Sequence, residues 1–198
     1  MLPQSHAIMA KLIHQDVKAQ FQVELNKKQL IYGSIKPDIY SGFPKLKHFK
    51  THSFREICHE IALLTSAAVE DNTDALSRFS QQLGIVTHYV ADYFCVPHND
   101  RKTYHKHFMI HLKYENELHG LFKQYAGEAA SSREKQSWLD FSNVTHVMNY
   151  IDDLHGQYQD KGESYLNDLY SSMDAIRTVS LMIVRQAVCE PVTAFNAA

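Results

Sequence analysis

The sequence has few residues that interrupt helices, since only 7 of its 198 residues are glycine and 5 are proline. The long stretches without glycine or proline favour helices over the short strands and frequent turns of all-β folds. No apolar run approaches the roughly 20 residues that a membrane-spanning helix needs. The 3 cysteines, Cys58, Cys95 and Cys189, are odd in number and far apart, so they predict small buried side chains rather than a disulfide framework.

The chain also lacks a strong charge bias. Its formal net charge is −2, which gives no general attraction to nucleic acid, so a nucleic-acid partner is not expected. The first residues, MLPQSHAIMAKLIH, lack the basic start, apolar centre and small-residue cleavage site of a secretory signal. A cytoplasmic location is therefore expected, unless a leader peptide was removed before residue 1.

Apolar residues recur at helical spacing along most of the chain. The pattern predicts helices at about 5–24, 53–69, 72–94, 104–125, 133–159 and 164–189. Asn72 or Thr73 is the expected cap of the third helix, and Pro97 ends that helix. Because neither strand alternation nor a repeat is visible, the predicted fold class is all-α. We expect one bundle of six or seven helices that spans residues 1–198 as a single domain.

Residues 27–52 depart from this pattern. The segment KKQLIYGSIKPDIYSGFPKLKHFKTH contains two glycines and two prolines, and between 27 and 50 six lysines accompany a single acid, Asp38. This composition predicts a long loop with one helical turn, and such loops in compact domains are usually functional. The lysines alternate with aromatic residues, which is typical of two situations. Residues 36–50 either contact an anionic lipid surface or form a solvated basic loop with its aromatics in the core.

Histidine, by contrast, is abundant, with 13 residues. His88 and Asp92 are four residues apart, as are His111 and Glu115, so each pair shares one helical face within reach of one ion. Together with His98, they offer the nitrogen and oxygen ligands that zinc prefers. Each pair alone is also compatible with a surface hydrogen bond. The apolar neighbours of His88 favour a buried pair, in which a metal would compensate the charge of Asp92.

Five motifs are similar to those of a known family. SHAIMA, YGSIKPDI, KTHSF, HYVADYFCVPH and HLKYE, in this order over residues 5–116, resemble the bacterial zinc-dependent phospholipase C family, which includes the alpha-toxin catalytic domain. The resemblance implies an all-helical domain of the phospholipase C/nuclease type that holds two to three Zn²⁺ ions at the bottom of a cleft. It also implies their ligands: Asp38, His52, His88 and Asp92 at one zinc, His6 and Asp92 at a second, and His98, His111 and Glu115 at the remaining one.

Some of these ligands have competitors. His48 competes with His52 for the loop ligand, although the KTHSF motif and the spacing of 14 residues from Asp38 favour His52. His107, four residues before His111, is a weaker competitor. In the secreted enzymes of the family, the amino-terminal residue itself also binds the second zinc. Only five residues precede His6 in this chain, so its zinc site is expected to be weaker, differently completed or empty.

The resemblance also implies an activity. A zinc cluster of this kind activates a water for attack on the phosphorus of a phosphodiester, and the substrate class of the family is phospholipid. Asp38 is the expected catalytic residue, which orients or deprotonates that water. The chain is thus predicted to be a zinc-dependent phosphodiester hydrolase of the phospholipase C kind. The alternatives are a zinc nuclease of the same superfamily and a helical protein in which zinc is structural and no turnover occurs.

Overall fold

The computed structural model describes residues 1–40, 46–67, 69, 72–99, 107–128 and 144–189. These residues form eight α-helices and no strand, which confirms the predicted all-α bundle. None of the described helices is both long and apolar enough to cross a membrane. The helices are α1 (Pro3–Phe21), α2 (Lys27–Ile39), α3 (Lys50–Ser66), α4 (Thr73–Asp92), α5 (Val96–Asn99), α6 (Phe108–Glu128), α7 (Val144–Asp160) and α8 (Tyr165–Val184), which continues as a π-helical turn (Arg185–Cys189).

Local sequence features set several helix boundaries. Pro3 lies in the first turn of α1, where its missing N–H has no intrahelical partner to lose. The Asn72 side chain accepts hydrogen bonds from backbone N–H groups in the first turn of α4, which confirms the predicted cap. Ser164 caps α8 in the same way. Such caps depend only on neighbouring residues, which is why these boundaries follow from the sequence.

The prediction of a long loop over residues 27–52 is wrong for most of its length. The structure has helix α2 at residues 27–39, and α3 already begins at residue 50. Residues 41–45 lie outside the described residues, and with them part of the basic and aromatic pattern. The connection between α2 and α3 is therefore much shorter than the composition indicates.

Glycine in α2 serves helix packing rather than a turn. A Cβ atom at Gly33 would lie 2.0 Å from the carbonyl oxygen of Gln81 in α4. The reciprocal glycine of α4, Gly84, would place a Cβ atom 2.3 Å from the carbonyl oxygen of Leu30. Only glycine permits this approach, because any side chain would overlap the facing backbone. α2 and α4 consequently pack backbone to backbone.

Helix α4 is the central helix of the bundle. It packs against α1, α2, α3 and α8, and every residue from Leu83 to Asp92 is buried. A helix that is surrounded on all sides buries polar as well as apolar side chains, and His88 and Asp92 are both completely buried. Buried polar groups need partners, so the groups that face these two residues decide their role.

The ends of several helices meet at the end of α4. Helix α2 ends there with Asp38, and α1 begins there, so that His6 and the amino group of Met1 face Asp92. His48 precedes α3 and also faces Asp92. His98 of α5 and Glu115 of α6 reach the same place and lie 3.4 Å apart. This end of the bundle therefore gathers residues that are far apart in sequence.

Candidate metal centre

Asp92 lies at the centre of a buried polar cluster. Its carboxylate is completely buried, and its two oxygens are surrounded by nitrogen atoms from other parts of the chain. A single carboxylate thus faces more nitrogen atoms than it can serve with ordinary hydrogen bonds. The nitrogen atoms are those of the Met1 amino group at 2.7 Å, His48 Nδ1 at 2.8 Å, His6 Nε2 at 3.3 Å, His88 Nε2 at 3.4 Å and His98 Nε2 at 3.5 Å.

Asp38 closes this cluster on the α2 side. Its Oδ1 atom lies 3.7 Å from His48 Nδ1 and 3.8 Å from His88 Nε2. These distances exceed those of a hydrogen bond but suit two ligands of one ion. Among the described residues, three sets at this cluster have ligand atoms that all lie within 4.8 Å of one another: His6, His88 and Asp92; Asp38, His48 and His88; and His48, Asp92 and His98.

A second group of ligands adjoins the first through His98. Glu115 Oε1 lies 2.8 Å from His111 Nε2 and 3.4 Å from His98 Nε2. Cys95 also has its sulfur within 4.8 Å of the ligand atoms of His98 and Glu115. Burial raises the pKa of the Cys95 thiol well above its usual value, so the thiol is neutral in the protein without a metal. His98, His111 and Glu115 thus lie together as the sequence resemblance implies.

The donor set fits zinc. His6 Nε2 is buried and has no hydrogen-bond partner among the described residues, although it lies 3.3 Å from Asp92 Oδ1. His88 donates a hydrogen bond from Nδ1 to the carbonyl oxygen of Ser34 (2.9 Å), which leaves the lone pair of its Nε2 directed at the cluster. That Nε2 lies 3.2 Å from the Nδ1 atom of His48 and 3.4 Å from Oδ2 of Asp92. A cation among these atoms would satisfy all three histidines, and imidazole with carboxylate is a zinc donor set.

The electrostatic state of the cluster is the one that metal ligands require. Burial acts to raise the pKa of Asp92, but His98 and the other nitrogen groups outweigh it and hold that pKa well below its usual value. Burial lowers the pKa of His98 to about 4, and burial also holds the pKa of His88 well below its usual range. Near neutral pH these histidines are uncharged while Asp92 is ionised. Metal binding consequently displaces no proton from either histidine.

The amino group of Met1 lies inside the cluster. Besides Asp92, it contacts His98 Nε2 at 2.7 Å and Glu115 Oε1 at 3.1 Å. Burial opposes its charge, but the carboxylates of Asp92 and Glu115 outweigh burial and raise the pKa of the amine well above its usual value. The amino nitrogen of Met1 and the Nε2 atom of His6 thus face the same oxygen of Asp92.

Residues of α7 and α8 hold the helix break that positions His98. The backbone N–H of Val96 donates a hydrogen bond to Asp168 Oδ2 (2.9 Å), and the Tyr158 hydroxyl donates to Asp168 Oδ1 (2.7 Å). Burial raises the pKa of Asp168 to about 6. Asn99 donates through Nδ2 to the carbonyl oxygen of Cys95 (3.0 Å), which closes the turn after α4. The sequence analysis did not identify Asp168 or Asn99. The position of Asp168 beside the apolar residues of α8 was the one sequence signal that indicated a buried acid.

Seven of the eight ligands that the sequence predicts lie in these two adjoining groups: His6, Asp38, His88, Asp92, His98, His111 and Glu115. The exception is His52. It lies in the first turn of α3 with an exposed side chain, and its ring centroid is 6.0 Å from that of Phe49. His48, the competitor, occupies the place beside Asp38 and Asp92. Metal ligation by each residue remains a prediction, but the geometry favours His48 over His52.

His52 instead lines a cavity beside the cluster. The cavity has a volume of about 750 Å³ and reaches the cluster at His98. Its wall includes the basic residues Lys50 and Arg55 and the aromatic ring of Phe49. Lys50 also forms an ion pair with Asp152. The cavity therefore offers space for a ligand of moderate size next to the candidate metal ligands.

Comparisons with known proteins address the same residues. The family model described as zinc-dependent phospholipase C matches residues 5–165, which include every candidate ligand side chain. No curated protein and no solved structure gives a significant match to the chain. The family match extends well beyond the motifs at residues 5–116 and covers most of the chain. The chain therefore belongs to the zinc-dependent phospholipase C family.

Proposed function

We propose that this protein is a zinc-dependent phosphodiester hydrolase that cleaves a phospholipid in the manner of a phospholipase C. One observation carries the proposal: a completely buried Asp92 is surrounded by nitrogen donors from distant parts of the chain, in a member of a zinc-dependent phospholipase C family. Without a bound cation, no described residue would provide His6 Nε2 with a hydrogen-bond partner. Structural zinc sites usually hold one ion with four ligands, so a larger cluster next to a cavity favours catalysis.

Each of the two ligand groups would bind zinc. His6, Asp38, His48, His88 and Asp92 would hold zinc on one side, and His98, His111 and Glu115 would hold it on the other. Asp92 lies between both groups, because it faces His88 on its own helix and His98 beyond the helix break. Zinc bound in such a centre acidifies a water molecule and polarises phosphoryl oxygens.

Asp38 is the residue that we assign to the proton of the attacking water. Its side chain lies at the edge of the cluster and is 16% exposed, whereas Asp92 has no exposed surface. Burial raises the pKa of Asp38 above its usual value, which makes its carboxylate a better proton acceptor. Because Asp38 is held only loosely by His48 and His88, it can orient a water at the opening without losing a short hydrogen bond.

The cavity beside His98 is our candidate for the substrate pocket. Arg55 presents positive charge on its wall beside the Lys50–Asp152 ion pair, and phosphoryl oxygens are natural partners for a guanidinium group. Phe49 offers an apolar surface to the rest of the substrate. A phosphodiester placed here would extend from the cavity to the ligands of the metal cluster.

Zinc content and hydrolysis measured together test the proposal. Wild type is expected to contain at least two zinc ions and to release phosphocholine from a phosphocholine ester. Asp92→Asn removes the shared charge, so we expect lower zinc content and a loss of activity of about 1000-fold or more. Asp153→Asn changes an exposed acid of α7 that no ligand group includes, and it should behave as wild type.

Other outcomes of this experiment are equally informative. Fewer than two zinc ions in wild type would contradict the cluster itself. Full zinc content without hydrolysis of phospholipid would favour a non-catalytic zinc protein. Hydrolysis of single-stranded nucleic acid in place of phospholipid would favour the nuclease alternative.

A further inference from the structure

Exposed apolar side chains concentrate near the candidate metal centre. Among the described residues, large hydrophobic side chains that are exposed include two directly after Asp38 and three directly before His111. Phe108 and Met109 are 72% and 71% exposed, which are the largest values among them. We call this set the apolar rim; it consists of Ile39, Tyr40, Phe108, Met109 and Ile110.

The two parts of the apolar rim lie at the same end of the bundle. Ile39 is the last residue of α2, and Phe108 is the first residue of α6. Both helix ends reach the metal cluster, through Asp38 and through His111 with Glu115. Phe108 is also three residues before His111, so both project from one face of α6. The apolar rim therefore flanks the side on which the ligands are partly open to solvent.

Basic residues accompany the apolar rim. Lys113 is exposed and lies four residues after Met109, on the same face of α6. Lys47 is exposed next to the ligand His48, and Lys36 lies one turn before the end of α2. Large apolar side chains with neighbouring lysines are suited to the boundary between lipid tails and anionic head groups. The apolar side chains stand on two helix ends, and each end has a lysine nearby, which suits the anionic plane of a lipid surface.

We propose that the apolar rim docks the protein on a lipid surface, with Lys47 and Lys113 facing anionic head groups. The choice of lipid as the occupant rests on the proposed function, since a phospholipase must reach a substrate that is packed in such a surface. Docking at this end places the opening of the metal cluster against the head groups. Large exposed apolar patches on soluble proteins commonly mark such contact sites.

Binding to vesicles that contain no phosphodiester tests docking separately from catalysis. Vesicles of digalactosyl diacylglycerol, with and without the anionic sulfolipid sulfoquinovosyl diacylglycerol, meet this condition. We expect the zinc-loaded wild-type protein to sediment with them. The double variant Phe108→Ser and Met109→Ser should bind about tenfold more weakly, because two large apolar side chains no longer enter the lipid.

A matched control replaces exposed apolar residues elsewhere. Leu63 is 53% exposed and lies about 20 Å along α3 from its first residue. Tyr170 is 57% exposed, and its ring lies 6.1 Å from that of Tyr125, about 25 Å along α6 from Phe108. The double variant Leu63→Ser and Tyr170→Ser should bind vesicles as wild type does. The proposal would be overturned if both double variants lost vesicle binding equally, or if neither lost it.

Charge is tested on the same vesicles. Lys113→Ser should weaken binding to sulfolipid vesicles about fivefold and leave binding to neutral vesicles unchanged. Lys28→Ser, at the exposed start of α2, is the control and should change binding to neither kind of vesicle.

If wild type does not bind vesicles and instead dimerises through the apolar rim, the occupant is a second copy and the proposal fails. If it binds vesicles but hydrolyses no phosphodiester, docking stands and the proposed function fails.

Discussion

At the scale of single residues, a buried carboxylate is the central feature of this protein. An ionised Asp92 in the interior is strongly unfavourable unless positive or hydrogen-bonding groups surround it. The spacing of His88 and Asp92 and their apolar neighbours already indicate a buried pair. The sequence pattern cannot show which further nitrogens approach Asp92, because His6, His48 and the Met1 amino group are 40 or more residues away.

The competing histidines 48 and 52 provide the sharpest test at this scale. His48→Gln should weaken zinc binding about 100-fold, because His48 Nδ1 faces both Asp38 and Asp92. His52→Gln should leave zinc content unchanged, since His52 lies in the adjoining cavity and in none of the ligand groups found among the described residues. Zinc content by elemental analysis distinguishes them. Loss of zinc in His52→Gln alone would restore the ligand that the sequence motif favours.

At the scale of helices, the packing of α2 against α4 sets the geometry of the site. Helix α4 carries His88 and Asp92, and α2 carries Asp38 and the carbonyl of Ser34 that orients His88. The composition of residues 27–39 favours a loop because glycine and proline usually end helices. In this helix Gly33 is needed for close contact, and Asn26 caps the first turn.

The close contact between α2 and α4 can be tested by adding one methyl group at Gly84. Gly84→Ala should lower the free energy of unfolding by about 3 kcal/mol, because the added Cβ would lie 2.3 Å from the carbonyl oxygen of Leu30. Zinc content should fall as well, since α2 would carry Asp38 away from His88. Denaturant unfolding and elemental analysis measure the two effects.

Gly120→Ala provides the matched control in helix α6. Apart from the nearby backbone of α6 itself, a Cβ atom at Gly120 would meet no atom of the described residues within 4 Å, so alanine should stabilise the protein by about 0.5 to 1 kcal/mol. If both variants changed stability in the same direction, helix propensity rather than helix contact would explain the result.

At the scale of the whole molecule, the metal centre lies where the ends of several packed helices meet. The amino terminus, the end of α2, the residues before α3, the end of α4 and the start of α6 all contribute groups to it. Several of these charged and polar groups are buried, which is unfavourable unless partners compensate them. Metal binding is therefore expected to contribute directly to folding stability.

Removal of zinc tests this coupling. We compare protein saturated with zinc, at a concentration about 1000 times the dissociation constant, with protein treated with a chelator. The chelator should lower the free energy of unfolding by about 4 kcal/mol and the Tm by about 10 °C. Asp92→Asn should respond much less to the chelator, because it binds less zinc from the start. An unchanged Tm of wild type in chelator would show that the cluster does not bind metal tightly.

The zinc-free protein should also be sensitive to acid through His98. Burial lowers the pKa of His98 to about 4, whereas an exposed histidine in the unfolded chain titrates near 6.5. Between these values the unfolded state binds more protons, so stability falls as the pH is lowered from about 6.5 to about 4. The contribution of His98 is about 3 kcal/mol. Zinc-free His98→Gln should lose correspondingly less stability over this range in denaturant titrations, and an equal loss would contradict the assignment.

The sequence by itself determined the helical class, several helix ends and two pairs of candidate ligands. These follow from local rules, because helical periodicity, caps and the spacing of four residues depend only on near neighbours. The tertiary structure alone decided that residues 27–39 are helical, that His48 rather than His52 faces Asp92, and that Asp168 holds the turn before His98. Each of these depends on contacts between distant residues, and no local pattern encodes which distant groups will pack together.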